Sequence, residues 1–304
     1  MISKNIIINH ALEVGFDLVG ITTAEPLDSE RANFEAWMSE GNHSTLDYLS
    51  RNIEKRFAPQ LLVEGARSVI VCAVSYLSPI SRGYSSECRT KIASYALARD
   101  YHLTIKEMLF ELGNRLGEEV EGLKFRAFTD SAPLAEKSLA VRAGLGWIGR
   151  NSLLVTPRFG SMILLGELVI NHDVDEYDKP FDKQRCGSCR VCIENCPNGA
   201  ILENRLIDTR RCISCRTIER EYENNELSLH GWIFGCDSCQ SLCPYNRRAP
   251  MHRNRAFDPL FDPTKLDEAL WLAMSDAEFA KLASTTPMPR AGLERIKRNI
   301  SSHK

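Results

Sequence analysis

Nine of the eleven cysteines in this sequence lie between Cys186 and Cys243. The first four have the spacing C-x2-C-x2-C-x3-C and are followed by proline, which is the ligand run of bacterial two-cluster ferredoxins. In that pattern three thiolates bind one 4Fe–4S cluster and the fourth reaches a second cluster. The run, which consists of Cys186, Cys189, Cys192 and Cys196, therefore predicts a second set of cysteines further along the chain.

Residues 236–244 provide that set with the spacing C-x2-C-x3-C-P, but the run lacks its first cysteine because Ile233 occupies the position. Cys212 or Cys215, themselves spaced C-x2-C, can supply the missing ligand. If the last cysteine of each run binds the other cluster, as in the two-cluster ferredoxins, two clusters are predicted. One is bound by Cys186, Cys189, Cys192 and Cys243, and the other by Cys196, Cys236, Cys239 and either Cys212 or Cys215.

Structural zinc is the alternative for paired cysteines, but the crossed counts and the C-x3-C-P endings favour iron–sulfur clusters. Two adjacent clusters form an electron relay, and a relay needs an acceptor, whose site must lie in residues 1–175. The stretch Gly144–Gly149 reads G-x-G-x-x-G. It follows a predicted helix rather than a strand, which disfavours a Rossmann dinucleotide site. The residues alone predict a reductase that delivers single electrons to a cofactor they do not identify.

Strands and helices alternate over residues 1–175, which predicts a domain of mixed α and β structure. Apolar, branched stretches predict strands at 17–22, 67–75, 125–129 and 161–171, and the second of these has the composition of a strand covered on both faces. Helices are predicted before the first strand, over 29–40, over 94–117, and over 134–143 with Ser131 as a cap and Pro133 in its first turn. Beyond the cysteines, residues 266–283 read as one helix and 290–298 as a basic helical segment.

The net charge of −2 means that no overall positive field favours nucleic acid, so any such surface must be a local patch. No apolar run reaches the roughly 18 residues of a membrane helix. The N-terminal stretch is too short and polar for a secretion signal. The expected compartment is therefore the cytosol, without a membrane partner, where clustered cysteines usually hold metal.

Several motifs in the sequence occur together in one bacterial family. They are Lys55-Arg56, Arg99-Asp-Tyr-His102, Asp130-Ser-Ala-Pro133, Arg142-Ala-Gly-Leu-Gly-Trp-Ile-Gly149, Leu164-Leu-Gly-Glu-Leu168, the run Cys186 to Pro197, Arg211-Cys212-Ile-Ser, Thr217-Ile-Glu219 and Gly235 to Arg247. With these motifs the chain resembles the epoxyqueuosine reductases over nearly its whole length. That family removes the epoxide oxygen in the last step of queuosine synthesis at the wobble position of tRNA.

The resemblance implies an α+β fold with a nitroreductase-like, cobalamin-binding catalytic domain over residues 1–175. It implies a double 4Fe–4S ferredoxin-like domain over 176–250, with Cys212 rather than Cys215 as the remaining ligand, and a basic helical tail over 251–304. Many relatives continue into a helical-repeat domain that helps to hold tRNA. Because this sequence stops at Lys304, a short form without that domain is expected, and the sequence leaves the extent of its tRNA contact open.

Asp130 matches the proton donor proposed for the family, since opening an epoxide produces an alkoxide that needs a proton. A carboxyl group serves as an acid near neutral pH only if burial raises its pKa. Without the resemblance, Asp130 is better explained as an ordinary carboxylate at the start of a helix than as a catalytic group. The residues expected to contact cobalamin are Arg56, Tyr101, Asp130, Gly146, Trp147 and Asn151. An ordinary helix end and a core tryptophan would also explain the Gly144–Gly149 stretch. His102 is assigned no metal role.

Two basic groups are candidates for tRNA phosphates. The expected partners are tRNA carrying epoxyqueuosine and a flavodoxin- or ferredoxin-type electron donor, and the protein is expected to be a monomer. The enzyme alternative is a cobalamin-dependent reductive dehalogenase, and the non-enzyme alternative is a ferredoxin-like electron carrier. The first basic group is Arg247, Arg248, Arg253 and Arg255, and the second is Arg290, Arg295, Lys297 and Arg298.

Overall fold

A four-stranded antiparallel sheet forms the centre of the N-terminal part of the chain. The computed structural model describes residues 1–181, 183–219 and 227–302. The sheet has the order β1-β2-β7-β4, with β1 Leu18–Thr23, β2 Ser68–Ser75, β4 Phe125–Phe128 and β7 Ile163–Ile170. Short strands lie elsewhere: β3 Lys91–Ile92, β5 Trp147–Ile148, β6 Leu154–Val155 and β8 Trp232–Phe234.

Every residue of β2 is buried, which confirms the prediction of a strand covered on both faces. One face packs against α1 (Lys4–Val14) and α4 (Tyr101–Glu119), and the other against α3 (Ile53–Phe57) and α5 (Glu136–Arg142). Helix α2 (Asp28–Ser39) lies at the edge of the second layer, through Phe34. Because helices cover both faces, the antiparallel strands have the continuous apolar character more usual in parallel sheets.

Helix α4 begins later than predicted. Residues 94–97 form a separate 3-10 turn, and the chain is extended at Ala98 before Asp100 caps the helix by accepting a hydrogen bond from the His102 N–H at 3.0 Å. An aspartate at this position satisfies one of the free N–H groups of the first turn. The cap thus places Tyr101 and His102 in the first turn of α4.

The predicted start of α5 is also wrong. Neither Ser131 nor Pro133 lies in its first turn, because the helix begins at Glu136 after Ala135, which makes no side-chain cap. Residues 130–133 instead form a bend between β4 and the helix. Asp130 is therefore held on a loop.

The C-terminal region packs into the N-terminal part and does not stand apart from it. Strand β3 pairs in parallel with β8, and residues around Ile92 and Leu97 share a core with Phe234 and Trp271. The predicted helix 266–283 is two helices, because Ser275 and Glu278 form a capping box that starts a new one. The remaining helices are α6 Val191–Glu194, α7 Ile213–Ile218, α8 Ser238–Ser241, α9 Pro244–Arg248, α10 Glu268–Ala273, α11 Asp276–Ala283 and α12 Leu293–Ser301.

Among the residues described, none of the helices combines the length and apolar character needed to cross a membrane. The last two residues of the predicted tail, 303 and 304, lie outside the described ranges.

Candidate active site and cysteine cavities

Asp130 lies directly after β4, where the loop conformation is fixed by local contacts. Its backbone has a φ of 51°, a left-handed conformation that aspartate tolerates better than most residues. The hydroxyl of Thr129 donates to the carbonyl of Leu165 at 2.8 Å, and the N–H of Asp130 donates to the carboxylate of Glu136. These bonds hold the loop against β7 and α5 and bring the Asp130 side chain to the start of α4.

One oxygen of Asp130 receives two contacts from α4. The hydroxyl of Tyr101 donates to Oδ2 at 2.7 Å, and Nε2 of His102 lies 3.1 Å from the same oxygen. On its other side, Nδ1 of His102 lies 2.7 Å from Oδ1 of Asp100. The rings of Tyr101 and His102 stack with centroids 4.0 Å apart. The imidazole therefore bridges two carboxylates, and the tyrosine fixes its orientation.

The pKa of Asp130 is lowered, chiefly by its hydrogen bond with His102 and also by that with Tyr101, despite opposing desolvation. The expected rise of its pKa depends on burial beside a bound macrocycle, and the surroundings that the protein itself provides act in the opposite direction. The reason is geometric, since the side chain of Asp130 keeps 47% of its exposure and has two donors on one oxygen. Desolvation is the largest single influence on His102 and lowers its pKa, but the bonds to Asp130 and Asp100 prevail and raise it overall. The pair thus favours a carboxylate on Asp130 and lets His102 keep its proton to a higher pH than an imidazole in water would.

Two further acidic residues, Glu136 and Glu167, lie behind the loop. Glu167 is 0% exposed in the middle of β7, no N–H or O–H donor among the described residues other than a protonated carboxyl reaches its oxygens, and its hydrogen-bond partner is the side chain of Glu136. Burial and the charge of Glu136 raise the pKa of Glu167 well above its usual range. Burial and the charge of Asp130 raise the pKa of Glu136 to about 7. This pair therefore holds at least one proton at neutral pH, and sequence reasoning missed it, although a glutamate within an apolar strand was a signal.

A cavity of about 300 Å³ connects Asp130 with the cysteine region. Tyr101, His102 and Asp130 line one side, and Cys212 and Cys215 line another. Apolar walls complete it, and Arg290 from the C-terminal region contributes a positive charge that pairs with Glu219. The apolar residues of the lining include Leu46, Ile218, Phe234 and Pro287.

A second cavity, of about 200 Å³, is surrounded by the four cysteines predicted for one cluster. Among the described residues, no three His, Cys, Asp or Glu side chains converge closely enough for a single metal ion. Burial, followed by the nearby thiols of Cys243 and Cys186, raises the pKa of Cys192 to about 11. The structure thus brings together Cys186, Cys189, Cys192 and Cys243, although Cys243 lies far along the chain.

The other four predicted ligands are also neighbours. Burial raises the pKa of Cys239 well above its usual range, and the thiols of Cys236, Cys212 and Cys196 add to the effect. Cys196 belongs to the first run in sequence but lies with the second group in space. Helix α7 starts directly after Cys212, and one turn on it carries Cys215, which faces the Asp130 cavity.

Tyr101 is the predicted cobalamin contact that lies beside Asp130, and Arg56 lies near Glu136. Arg56 is half-buried over the ring of Phe34, desolvation lowers its pKa, and its Nε has no hydrogen-bond partner among the described residues.

Gly146, Trp147 and Asn151 lie elsewhere than expected. Trp147 is 1% exposed and its Nε1 donates to Sγ of Cys186 at 3.4 Å, while Asn151 lines the second cavity and donates to the carbonyl of Cys239 at 3.4 Å. A Cβ at Gly146 would lie 2.1 Å from the carbonyl oxygen of Val155, so this glycine serves the close pairing of β5 with β6. The three residues thus belong to the surroundings of the cysteines. In the part of the chain that the structure describes, none of them lines the Asp130 cavity.

Members of the two basic groups have different surroundings. Arg290 is paired with Glu219, and Nη1 of Arg295 donates to the carbonyl of Ile218, so both are engaged within the protein. Arg248 lines the second cavity and Arg247 lines a hollow next to it, and neither lines the first cavity. Of the residues in the two groups, only Arg290 lines the Asp130 cavity within the described part of the chain.

Comparison with known proteins gives two family matches. Residues 56–131 match the family described as epoxyqueuosine reductase QueG, DUF1730, and residues 185–246 match a 4Fe–4S double cluster binding domain. An epoxyqueuosine reductase of Cyclobacterium marinum is 39% identical over 293 residues, which cover 95% of this chain and 93% of that protein.

Solved structures agree with the sequence matches. An epoxyqueuosine reductase crystallised with an epoxyqueuosine-modified tRNA-Tyr stem loop superposes with a TM-score of 0.87 at 28% identity, covering 99% of this chain and 80% of that one. A catabolic reductive dehalogenase, NpRdhA, has a TM-score of 0.50 at 18% identity and covers 98% of this chain and 37% of that one, a likeness of fold alone.

Proposed function

The chain belongs to the epoxyqueuosine reductase family, and on this premise we propose that it reduces epoxyqueuosine to queuosine in tRNA at the cavity shared by Asp130 and Cys212. The observation that supports this proposal is the lining of the cavity. Asp130, Tyr101 and His102, whose side chains can carry protons, line one side, and Cys212 of the second cysteine group lines another. Removing the epoxide oxygen as water consumes two electrons and two protons. Electrons from one wall and protons from the other meet this requirement.

Cobalamin is the cofactor that the family resemblance implies for this cavity, and the residues present fit it. Leu46, Ile218, Phe234 and Pro287 offer apolar surface to a macrocycle, while Asp130 and Tyr101 offer polar groups at one side. Arg56 lies near Glu136 and, among the described residues, is not part of the lining of this cavity. When bound, cobalamin supplies a cobalt centre that passes electrons to the epoxide-bearing ring.

We assign one 4Fe–4S cluster to each group of four cysteines. The second group, Cys196, Cys212, Cys236 and Cys239, shares its wall with the Asp130 cavity through Cys212 and is the proximal site. The first group is then the distal site, at which electrons from a donor enter. Crossed ligation by Cys196 and Cys243 keeps the two sites adjacent.

Asp130 delivers the proton to the oxygen of the opening epoxide through Oδ2. Because Asp130 is ionised at neutral pH, it must receive a proton before it can donate one. His102 is placed to provide it, since its Nε2 lies 3.1 Å from that oxygen. Asp100 holds the opposite ring nitrogen and stabilises the protonated imidazole. Tyr101 orients the Asp130 carboxylate through its hydroxyl.

The substrate nucleoside must leave the anticodon-loop stack to enter this cavity, as bases do when proteins act on single-stranded loops. We place the protein in the cytosol with its tRNA, and infer a flavodoxin- or ferredoxin-type protein as electron donor.

The proposal is tested with anaerobically reconstituted protein and an epoxyqueuosine-containing stem loop, with the nucleoside product measured by mass spectrometry. Wild-type protein is expected to contain a corrin and to form queuosine. Asp130→Asn should keep the corrin and iron but turn over about 10²–10⁴-fold more slowly. Protein that takes up iron and sulfide but no corrin would instead indicate an electron carrier, and turnover of organohalides alone would indicate a dehalogenase.

A further inference from the structure

A group of arginines surrounds the first cysteine cavity. Arg150, Arg185 and Arg248 line it together with Cys186, Cys189, Cys192 and Cys243. An adjoining hollow of about 510 Å³ is lined by Val191, Leu242, Pro244, Arg247 and Arg248. We call these four arginines with the apolar residues between them the arginine face.

Within the part of the chain that the structure describes, ion pairs do not balance the charges of this face. None of the four arginines forms an ion pair among the described residues, whereas neighbouring Arg190 pairs with Glu203. Arg185 lies over the ring of Phe181 at 5.0 Å and Arg248 over that of Tyr245 at 5.3 Å. Arg150 donates to the carbonyl of Gly187 at 2.8 Å. These contacts fix Arg150, Arg185 and Arg248 in place without neutralising them, so these three present a preorganised positive field above the cavity.

The position of the arginine face indicates what its positive field can attract. Cys212 places the second cysteine group against the Asp130 cavity, so the first group is the end of the relay away from the substrate. Val191, Leu242 and Pro244 form an apolar centre with an arginine rim, the usual arrangement of a protein–protein interface. tRNA, by contrast, has to reach the other cavity, where Arg290 lies.

We propose that the arginine face is the docking surface for an acidic one-electron carrier protein, which delivers electrons to the first cluster site. This rests on the proposed function only in taking the cysteine groups as an electron relay. Complementary charge would act mainly on the rate of encounter, since rim charges steer association.

The test is stopped-flow reduction of the clusters in reconstituted holoprotein by a reduced flavodoxin, without any tRNA. The double variant Arg185→Glu/Arg248→Glu should lose about tenfold or more in second-order rate at low salt, and much of its salt dependence. Lys265→Glu/Lys281→Glu makes the same change in net charge at exposed positions elsewhere and should react like wild type. Photoreduction by an uncharged deazaflavin should be equal in all three proteins, which shows that the clusters are intact.

Arg247→Glu provides a second variant, because its side chain lies on the hollow and not on the cysteine cavity, and it should lower the rate in the same direction. Unchanged flavodoxin rates in both variants would overturn the proposal. So would a loss of stem-loop affinity with an unaltered flavodoxin rate, which would assign the face to RNA. Because cluster reduction is measured without turnover, a failure of the proposed tRNA activity would be visible separately.

Discussion

At the scale of single residues, the site depends on one histidine between two aspartates. The His102–Asp130 ion pair exists above the lowered pKa of Asp130 and below the raised pKa of His102. The stabilisation that this ion pair provides is lost as pH falls through the pKa of Asp130 and as pH rises through the pKa of His102. The lowered pKa of Asp130 does not remove it from acid catalysis, because the adjacent imidazolium can reload it.

Asp100→Asn should move the pH dependence of turnover. The amide still caps α4, but it removes one of the carboxylates that raise the pKa of His102. Because the protonated imidazole is the active form, the alkaline fall in kcat should shift to lower pH, with kcat at low pH little changed. Steady-state profiles of the reconstituted enzyme measure this. In His102→Gln the same alkaline limb should disappear; a limb unmoved by Asp100→Asn would show that another group titrates.

Cys212 and Cys215 offer a matched pair of substitutions. Cys212→Ser should leave the second site with three thiolates and lower its cluster content, seen as fewer irons per chain and loss of one EPR signal. Cys215→Ser should retain both clusters, because Cys215 faces the cavity outside the proposed ligand set. Loss of a cluster in Cys215→Ser but not in Cys212→Ser would make Cys215 the ligand. It would contradict the family resemblance, which selects Cys212.

At the scale of elements, sequence pattern predicts what depends on local composition. The β2 strand follows from its apolar run. The cysteine spacing predicts the two groups except for the choice between Cys212 and Cys215, since Cys196 and Cys243 end their runs in the same way. The wall of the cavity depends on distant partners. Gly146 reads like a ligand-binding glycine, but its neighbour is the carbonyl of Val155, which no local pattern reveals. Likewise, the late start of α4 follows from the Asp100 cap inside a stretch of helix-forming residues.

The buried Glu167 on β7 makes stability depend on pH. Its folded pKa is raised well above 4.5, so the folded state binds more protons and stability falls as pH rises above the unfolded value. Glu167→Gln should therefore flatten this fall, with a higher melting temperature at about pH 8 than wild type but little difference at about pH 5. Anaerobic thermal denaturation of the holoprotein measures it. Glu118→Gln, on the exposed side of α4, is the control, and an equal slope in wild type and Glu167→Gln would refute the assignment.

At the scale of the whole molecule, one cavity is built from three parts of the chain. Asp130 comes from the sheet domain, Cys212 from the cysteine region and Arg290 from the C-terminal helices. Pairing of β3 with β8 and the shared core around Phe234 hold these parts together. The molecule thus has an electron-entry end at the first cysteine group and a chemical end at Asp130.

The most direct test of this account is the fate of stored electrons. Protein with fully reduced clusters is mixed with an epoxyqueuosine stem loop without further reductant, and rapid-freeze EPR of the clusters is compared with queuosine formed. Wild-type protein should lose two reducing equivalents for each queuosine, while Asp130→Asn should keep its reduced-cluster signals over the same time. Cluster oxidation without queuosine, or oxidation of Asp130→Asn at the wild-type rate, would contradict the claim that electrons and protons meet in the Asp130–Cys212 cavity.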